Sequence, residues 1–511
     1  MPVPLSRAAA LLAVVAVCAP TLAAQRNAPS TYAITNAKLV PVSAPVIARG
    51  TIVVRDGLIA ALGANVAVPA DARVIDGTGL TVYPGLFDAF GSIGIPSAAP
   101  AGGGGRGGGG GAAAALAALA APTSTGNRSG NGSTVDQPRG VEPELSAVDR
   151  IRLDEDALDG PRSAGIATAL TVSSAGIFQG QSALINLAGS NASAMIVKPN
   201  VAQHIAFSVG RGFGGGYPGS LMGVFAVLRQ ELIDAQRYRE LRTAYAKNPR
   251  NMQRVEFDPS LEALLPALAG QQPVVMVANS QREIERALDL AKEFGLKVII
   301  AGGSEAYLMT TRLKAENVPV LLSINFPRRT VAPAADAEPE ELRVLRERVE
   351  APKTAGRLAA AGVKFAFESG GLTTWSDFDT NVQRAVEGGL APDQAIKALT
   401  WTPAELFGVS DRLGSLEVGK IANLTVTKGD LTDKAARINS LYVDGRPIAL
   451  HPPTPAGGAG GFGGRGAGAA PVATPTPPPT PPASSHHDDN NPTKTPPPSS
   501  HHDDNNPGMH E

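Results

Sequence analysis

The side chains that most often do chemistry in proteins are unevenly distributed along this sequence of 511 residues. Cys18 is its only cysteine, and six of its seven histidines lie at or beyond His451, in a segment rich in proline and glycine. His204 is therefore the one histidine in the part of the chain that we expect to fold. Because a zinc centre normally takes three or four His, Cys or carboxylate ligands, this inventory argues against a typical zinc site.

Carboxylates could supply a different kind of site. Five of them stand near the ends of predicted strands, where the active sites of α/β barrels form: Asp88, Glu305, Glu368, Asp377 and Asp379. A site made of carboxylates alone would suit Mg²⁺, Mn²⁺ or Ca²⁺, but it needs three or more converging oxygens. The spacing shows no such convergence, so we expect Asp88 to cap a strand end and the others to be solvated or paired.

His204 stands in the apolar segment Val-Ala-Gln-His-Ile-Ala-Phe and could act as a general base. A single histidine in apolar surroundings is more often a hydrogen-bonded structural residue. The candidates for catalysis are therefore His204, Glu368 and Asp88, and nothing in their spacing assigns a mechanism to them.

Other motifs do not point to a known chemistry. Residues 210–215 match Gly-x-Gly-x-x-Gly formally but lack the preceding strand of a dinucleotide fold, and no serine stands in a Gly-x-Ser-x-Gly elbow. The His-His-Asp-Asp pairs after residue 484 could bind metal weakly, but a flexible segment does not preorganise ligands. A net charge of −1 gives no electrostatic case for nucleic acid as a partner.

The N-terminus resembles a secretory signal. Arg7 precedes an apolar stretch over residues 8–19, and small residues follow at Ala23 and Ala24. The stretch is too short for a membrane span, and Val17 before Cys18 fits a lipoprotein signal poorly. We therefore expect a signal peptide at 1–24, a periplasmic or extracellular location, no membrane association after cleavage, and no disulfide or thiol chemistry in the mature chain.

The pattern of strands and helices predicts an α/β protein. Short strands fill residues 25–80, among them separate strands at 32–34 and 38–42, with a hairpin at Asp56-Gly57. From about 160 to 405, strands alternate with helices. The clearest unit has a strand at 272–278, a capping box at Ser280 and Glu283, a helix ending at Gly295 and a strand at 297–301. Over this length the alternation favours a (β/α)8 TIM-like barrel.

The two ends of the folded part are both rich in strand-like sequence. We predict that residues 25–80 and 411–450 form one composite β-sandwich beside a barrel at 81–410. A Gly/Ala-rich insertion at 98–140 and a Pro/Gly/His-Asp-rich tail at 451–511 are expected to be disordered, because such sequence cannot bury a core.

Two segments resemble the amidohydrolase superfamily, and within it the imidazolonepropionase-like group. Residues 76–89 (Asp-Gly-Thr-Gly-Leu-Thr-Val-Tyr-Pro-Gly-Leu-Phe-Asp-Ala) are similar to the family's entry into its first barrel strand. Residues 398–404 and 411–420 are similar to its return to the β-sandwich. The resemblance covers about residues 32–448 and implies a barrel enzyme that uses zinc or another divalent metal to activate water.

The resemblance also implies where the metal ligands should stand, and this chain departs from the family at each position. The His-x-His pair after the first barrel strand is replaced by Phe90 and Ser92. The histidines after the fifth and sixth strands are replaced by Val277 or Asn279, and by Gly302. The aspartate after the eighth strand is replaced by Gly370. No Lys, Asp or Glu between residues 198 and 231 could bridge two metals, so we expect no metal cofactor.

Three functions fit these observations. The favoured one is a non-catalytic binding or partner subunit, as a homo-oligomer or in complex with an active paralogue. A second is a hydrolase that acts on carbon–nitrogen bonds through a rebuilt site, and a third is a small-molecule binding protein that uses the barrel mouth.

Overall fold

The computed structural model describes residues 31–96, 140–207, 218–328, 340–372 and 374–450. The expected signal peptide, nearly all of the Gly/Ala-rich insertion, the segment 210–215 and the tail lie outside these residues. Within them, no helix is long and apolar enough to cross a membrane.

Strands from both ends of the described chain pair in one eight-stranded sheet. Its members are β1 (Thr31–Leu39), β2 (Ile47–Arg55), β3 (Leu58–Gly63), β4 (Arg73–Asp76), β5 (Leu80–Pro84), β16 (Leu424–Lys428), β17 (Arg437–Val443) and β18 (Arg446–Ile448). The two ends meet where β16 pairs antiparallel with β5, from Leu424 opposite Pro84 to Lys428 opposite Leu80. The sheet thus extends past residue 80, where the sequence suggested that the barrel begins.

Two local expectations about this sheet have different outcomes. The Asp56-Gly57 hairpin between β2 and β3 is confirmed, and both residues have the positive φ angles (50° and 83°) that a two-residue hairpin turn requires. The separate strands expected at 32–34 and 38–42 are instead one strand, β1. Asn36 adopts a left-handed conformation (φ 60°) at an irregularity in the pairing with β2, which makes a continuous strand look interrupted in sequence.

Two further sheets carry the middle of the chain. A four-stranded sheet contains β6 (Leu86–Gly91), β7 (Ile166–Thr171), β9 (Ala183–Asn186) and β10 (Ile196–Lys198). A six-stranded sheet contains β8 (Phe178–Gln181), β11 (Gln203–Ala206), β12 (Val274–Ala278), β13 (Val298–Gly302), β14 (Val320–Ser323) and β15 (Phe365–Glu368).

No single closed barrel is detected among the described strands of the middle of the chain, which pair in two separate sheets. Strands β11 to β15 run parallel, as the alternation indicated, but β7 pairs antiparallel with β9 and β8 pairs antiparallel with β11. Residues 172–207 contain short strands without a long crossover helix between them. Because parallel neighbours need a long crossover connection, this region forms antiparallel pairs and separates the two sheets.

Ten helices accompany these sheets in the described part of the chain. They are α1 (Glu155–Ser163), α2 (Ala192–Met195), α3 (Leu221–Lys247), α4 (Pro259–Leu268), α5 (Gln281–Phe294), α6 (Thr310–Ala315), α7 (Leu342–Ala361), α8 (Ser376–Glu387), α9 (Pro392–Leu399) and α10 (Trp401–Leu406), with two 3₁₀ turns at Ala147–Asp149 and Ala306–Leu308. The unit around α5 is confirmed: Ser280 and Glu283 form the capping box, and Gly295 ends the helix at φ 67°.

The inner faces of the two sheets share one apolar core. Phe87, Leu170 and Leu184 of the four-stranded sheet belong to the same buried cluster as Ile299 and Leu321 of the six-stranded sheet. This packing fixes the carboxyl ends of the strands relative to each other, and those ends carry the candidate site.

A buried polar network joins the eight-stranded sheet to the four-stranded sheet. The Asn423 side-chain amide donates to Thr168 Oγ1 at 3.1 Å and to Asn186 Oδ1 at 2.9 Å, and its own Oδ1 accepts from the Asp444 backbone N–H at 2.8 Å. Asn186 in turn donates to Asp444 Oδ1 at 2.7 Å. Since each polar group here is paired, removing one member leaves others buried without a partner.

We predict that Asn423→Ala lowers the free energy of unfolding by roughly 2–4 kcal/mol, because it removes three hydrogen bonds between the sheets and leaves a cavity. Ser280→Ala, which removes only the α5 cap, should cost about 1 kcal/mol and serves as the control. Urea unfolding of the full chain measures both values. Equal losses for the two variants would show that the network does not hold the sheets together.

Candidate binding cavity

The carboxyl ends of β6, β12, β13, β14 and β15 surround one cavity of about 440 Å³. All the positions at which the resemblance places metal ligands lie in its wall: Phe90, Ser92, Val277, Asn279, Gly302 and Gly370. The structure thus brings together residues up to 280 positions apart that the sequence comparison picked out one by one. Its wall also contains Ser323, Glu368, Ser369 and Trp375.

At the end of β13, Gly302 leaves space that Asn279 fills. A Cβ atom placed on Gly302 would stand 2.3 Å from Asn279 Oδ1, and the glycine has φ 89°, a conformation that other residues rarely adopt. The Asn279 side chain is held in place by Ser304, whose hydroxyl donates to Oδ1 at 3.3 Å. The position therefore cannot carry a larger side chain without displacing a neighbour.

At the end of β15, Gly370 has a similar arrangement. A Cβ atom on Gly370 would lie 2.0 Å from Ser323 Oγ, and the glycine has φ 61°. The Ser323 hydroxyl accepts from the Asn325 backbone N–H at 3.2 Å, and the Asn325 side chain donates to the Gly370 carbonyl at 3.1 Å. Ser323, Gly370 and Asn325 thus form a closed hydrogen-bonded corner of the cavity.

Phe90 separates His204 from the cavity. The two rings stack with centroids 5.5 Å apart and an interplanar angle of 13°. His204 is fully buried, neither ring nitrogen has a hydrogen-bond partner among the described residues, and burial lowers its pKa to about 3. His204 is therefore neutral at pH 7 and is not part of the cavity wall, which corrects the hypothesis that it acts as a general base there.

Asp88 and Glu368, the other two candidates, come together beside the cavity. Asp88 accepts hydrogen bonds from the Ser369 backbone N–H at 2.8 Å and from the Ser369 hydroxyl at 2.9 Å. Glu368 Oε2 accepts from the Gly370 backbone N–H at 2.6 Å. Burial raises the pKa of Asp88 to about 6, and burial with the nearby Asp88 charge raises the pKa of Glu368 well above its usual value.

The remaining carboxylates named from the sequence lie elsewhere. Glu305 accepts a hydrogen bond from the Gln281 backbone N–H at 2.7 Å, and Asp377 forms an ion pair with Arg328. Asp379 is half-buried on α8, where burial raises its pKa to about 7. None of the three is in the wall of this cavity, so the five carboxylates do not converge on one ion.

Ser323, Ser369 and Trp375 lie in the cavity wall but were not predicted as site residues from the sequence. Ser323 and Ser369 each end or follow a barrel-type strand, a position that could have identified them. Trp375 contacts Gly160 closely, since a Cβ atom there would lie 2.3 Å from Trp375 Cδ1. That contact joins segments 215 residues apart, and no local pattern predicts it.

The residues of this wall do not fit the divalent metal that the resemblance implies. Phe90 offers an apolar ring, Gly302 and Gly370 offer no side chain, and the space where a donor would project is filled by Asn279 and Ser323. Across the described part of the chain, no group of three or more His, Cys, Asp or Glu side chains is placed to hold a metal. The arrangement supplies hydroxyls, an amide and a carboxyl group around apolar walls.

Residues 219–450 match the model of the amidohydrolase family. These residues belong to the amidohydrolase superfamily. An amidohydrolase from Thermotoga maritima has the same fold, with 22% identity, a TM-score of 0.64, and coverage of 82% of this chain and 100% of that one. A putative prolidase from Bifidobacterium longum aligns at 16% identity and a TM-score of 0.48, covering 84% and 97% of the two chains.

A curated adenine deaminase from Moorella thermoacetica is 44% identical over 68 residues. The match covers 13% of this chain and 11% of the deaminase, so it concerns a short segment of both proteins. The superfamily prediction is confirmed by the family match, whereas the likeness to the imidazolonepropionase-like group stays a prediction.

Restoring the family's side chains at the two glycines should not restore an amidohydrolase metal site. We predict that Gly302→His and Gly370→Asp each lower the free energy of unfolding by roughly 2–5 kcal/mol, because each forces a left-handed backbone and an overlap with a neighbour. Gly371→Ala is the control, since Gly371 has φ 70° but nothing within 4 Å of its Cβ position, and it should cost only about 1 kcal/mol. Stoichiometric zinc binding by the double variant, without loss of stability, would contradict this.

The burial of His204 predicts a specific pH dependence. The unfolded chain binds a proton at His204 below about pH 6.5, but the folded chain does not do so until about pH 3. Stability contributed by the neutral ring is thus fully present above pH 6.5 and is lost as the pH falls. Relative to His204→Phe, the wild type should lose about 1.4 kcal/mol per pH unit between about pH 6 and 4. Parallel stability curves from urea unfolding would refute the buried neutral state.

Proposed function

We propose that this chain is an amidohydrolase-fold protein that binds a small molecule in the cavity without the family's metal chemistry, as a non-catalytic binding or partner subunit. The observation that carries the proposal is the convergence of all the altered ligand positions on one cavity. There they offer Ser92, Asn279 and Phe90 in place of metal donors. A volume of about 440 Å³ and apolar walls with a few polar groups are typical of ligand sites.

The chemistry of hydrolysis explains why the metal positions matter. In the superfamily mechanism a metal lowers the pKa of bound water from about 15.7 to about 7, which supplies hydroxide at neutral pH. General-base catalysis by one carboxylate contributes only about 10²–10⁴-fold in rate. Glu368 would have to supply that help alone if the protein were a hydrolase with a rebuilt site.

The hydrolase alternative has one observation in its favour. Glu368 is buried, has a raised pKa and lies in the cavity wall, and perturbed carboxyl groups often mark acid–base sites. The printed names of the similar proteins, an amidohydrolase and an adenine deaminase, also suggest carbon–nitrogen bonds as targets. The hydrolysis arm of the experiment below therefore tests this alternative directly.

We further propose that the four-stranded and six-stranded sheets are two parts of one barrel and that the eight-stranded sheet is the composite β-sandwich. Hydrogen bonds from Ser369 to Asp88 link the ends of β15 and β6, which supports closure on that side. On the other side, two backbone hydrogen bonds support closure at Ser182, which lies between β8 and β9. The Ser182 carbonyl accepts from the Val201 N–H at 2.8 Å, and the Ser182 N–H donates to the Ala202 carbonyl at 3.0 Å.

We also propose a cellular location and a form of assembly for this protein. The signal-like segment at residues 1–24 supports export to the periplasm or the cell exterior. A binding subunit there would act as a homo-oligomer or beside an active paralogue. Size-exclusion chromatography with light scattering on the exported protein tests the first possibility.

The proposal predicts binding without turnover. The full chain is incubated with N-acyl amino acids, dipeptides and cyclic amides, with and without added Zn²⁺ or Mn²⁺, and binding is followed by thermal shift. We expect no metal-stimulated hydrolysis. We also expect at least one compound whose stabilisation is lost in Trp375→Leu but kept in the surface control Glu240→Gln.

Metal-dependent hydrolysis that is lost on chelation would overturn the proposal. Metal-independent hydrolysis that is lost in Glu368→Gln would instead establish the rebuilt site. Absence of any Trp375-dependent ligand across a broad fragment library would refute the cavity as a binding site.

A further inference from the structure

Resting on the proposed binding function, we propose that the ligand of this cavity is a small organic cation with an apolar or aromatic body. Its charged group would lie near the Glu368 carboxyl group and its body between the side chains of Phe90 and Trp375. This proposal adds the chemical class of the ligand to the site described above.

The carboxyl groups at the cavity have no positively charged partner among the described residues. Asp88 is fully buried and Glu368 is 2% exposed, and the hydrogen-bond partners of both are neutral backbone and serine groups. No ion pair joins either carboxyl group to a described Lys or Arg. A cationic guest would compensate the charge of an ionised Glu368, whereas an anionic guest would add a second negative charge at a buried site, so this wall favours a cation and disfavours an anion.

The composition of the cavity wall also favours a cation. Among the described residues that line the cavity, none is Lys, Arg or His, whereas Phe90 and Trp375 supply two aromatic rings. Aromatic rings attract organic cations through their negative faces, and tryptophan does so most strongly. Trp375 is fixed by close contact with Gly160 and by a tilted contact with Phe378 at 6.2 Å between ring centroids.

The cavity wall suits an organic cation better than a metal ion. Mg²⁺ or Ca²⁺ requires six or more oxygen ligands in close geometry, largely from carboxylates, carbonyls and water. The cavity wall holds one carboxyl group, Glu368, and much of the rest is apolar, including Ile93, Ile95, Val172 and Leu372. The apolar body of an organic cation can cover these side chains while its amine reaches Glu368. A hydrated metal ion would leave the apolar side chains in contact with water.

Isothermal titration of the full chain with three matched probes tests the class: benzylamine as the cation, benzyl alcohol as the neutral analogue and benzoate as the anion. We expect benzylamine to bind at least about tenfold more tightly than benzyl alcohol, as a charge-assisted hydrogen bond would give, and benzoate not to bind. This comparison uses the wild-type chain, so it does not depend on the folding of a variant.

Two variants locate the effect. Glu368→Gln keeps an oxygen that can accept from the Gly370 N–H but cannot ionise, and it should reduce the benzylamine preference to about twofold or less. Glu240→Gln, an exposed substitution on α3, should leave the preference unchanged. A separate titration with ZnCl₂ and MgCl₂ tests whether the cavity binds a metal ion instead.

The possible outcomes distinguish a failure of the cation proposal from a failure of the proposed binding function. Tight binding of benzyl alcohol or benzoate with no preference for benzylamine would overturn the cation proposal and leave the binding function standing. A benzylamine preference that persists in Glu368→Gln would overturn the role of this carboxyl group. Stoichiometric Mg²⁺ or Zn²⁺ that competes with benzylamine would assign the site to a metal. Failure of all probes, together with the absence of any Trp375-dependent ligand, would count against the binding function itself.

Discussion

The hydrogen bonds from Ser369 to Asp88 join the first and last strands of the middle of the chain. Asp88 is on β6 and Ser369 directly follows β15, 281 positions later, yet two bonds of 2.8 and 2.9 Å connect them. This contact brings Phe90 and Glu368 to the same cavity and determines which side chains can face it. Burial raises the pKa of Asp88 to about 6, whereas its hydrogen bonds with Ser369 act in the opposite direction.

Neighbouring side chains fill the space at the positions where the resemblance places metal ligands. Asn279 fills the space next to Gly302, and Ser323 fills the space next to Gly370. Phe90 occupies the first ligand position and covers His204. Each of these positions is thus packed against a neighbouring side chain, which supports the proposal of a site with a different ligand.

Much of the fold could be predicted from sequence because its signals are local. The α5 unit follows from a capping box, a helical apolar face and a C-terminal glycine, and the hairpin at residues 56 and 57 follows from an Asp-Gly pair. The antiparallel strands between residues 172 and 207 were not predicted, because short apolar strands do not reveal the direction of their partners. The continuous β1 was missed because the conformation of Asn36 depends on pairing with β2.

The candidate site was predicted in part, for a related reason. Comparison with the family located Phe90, Gly302 and Gly370, since strand ends align through flanking motifs. The closeness of Asp88 to Glu368 and the position of Trp375 over Gly160 depend on contacts between distant segments, which no spacing rule contains. His204 was expected from the sequence to be hydrogen-bonded, whereas its ring nitrogens have no partner among the described residues, and its stacking on Phe90 could only be seen in three dimensions.

The central claim is that this cavity is built for an organic ligand and not for a metal. The most direct measurement is X-ray diffraction at the zinc absorption edge from crystals of the full chain grown with excess ZnCl₂. The account predicts no anomalous peak in the space bounded by Phe90, Gly302 and Gly370. A fully occupied anomalous peak in that space, within bonding distance of Glu368 or Asn279, would contradict it.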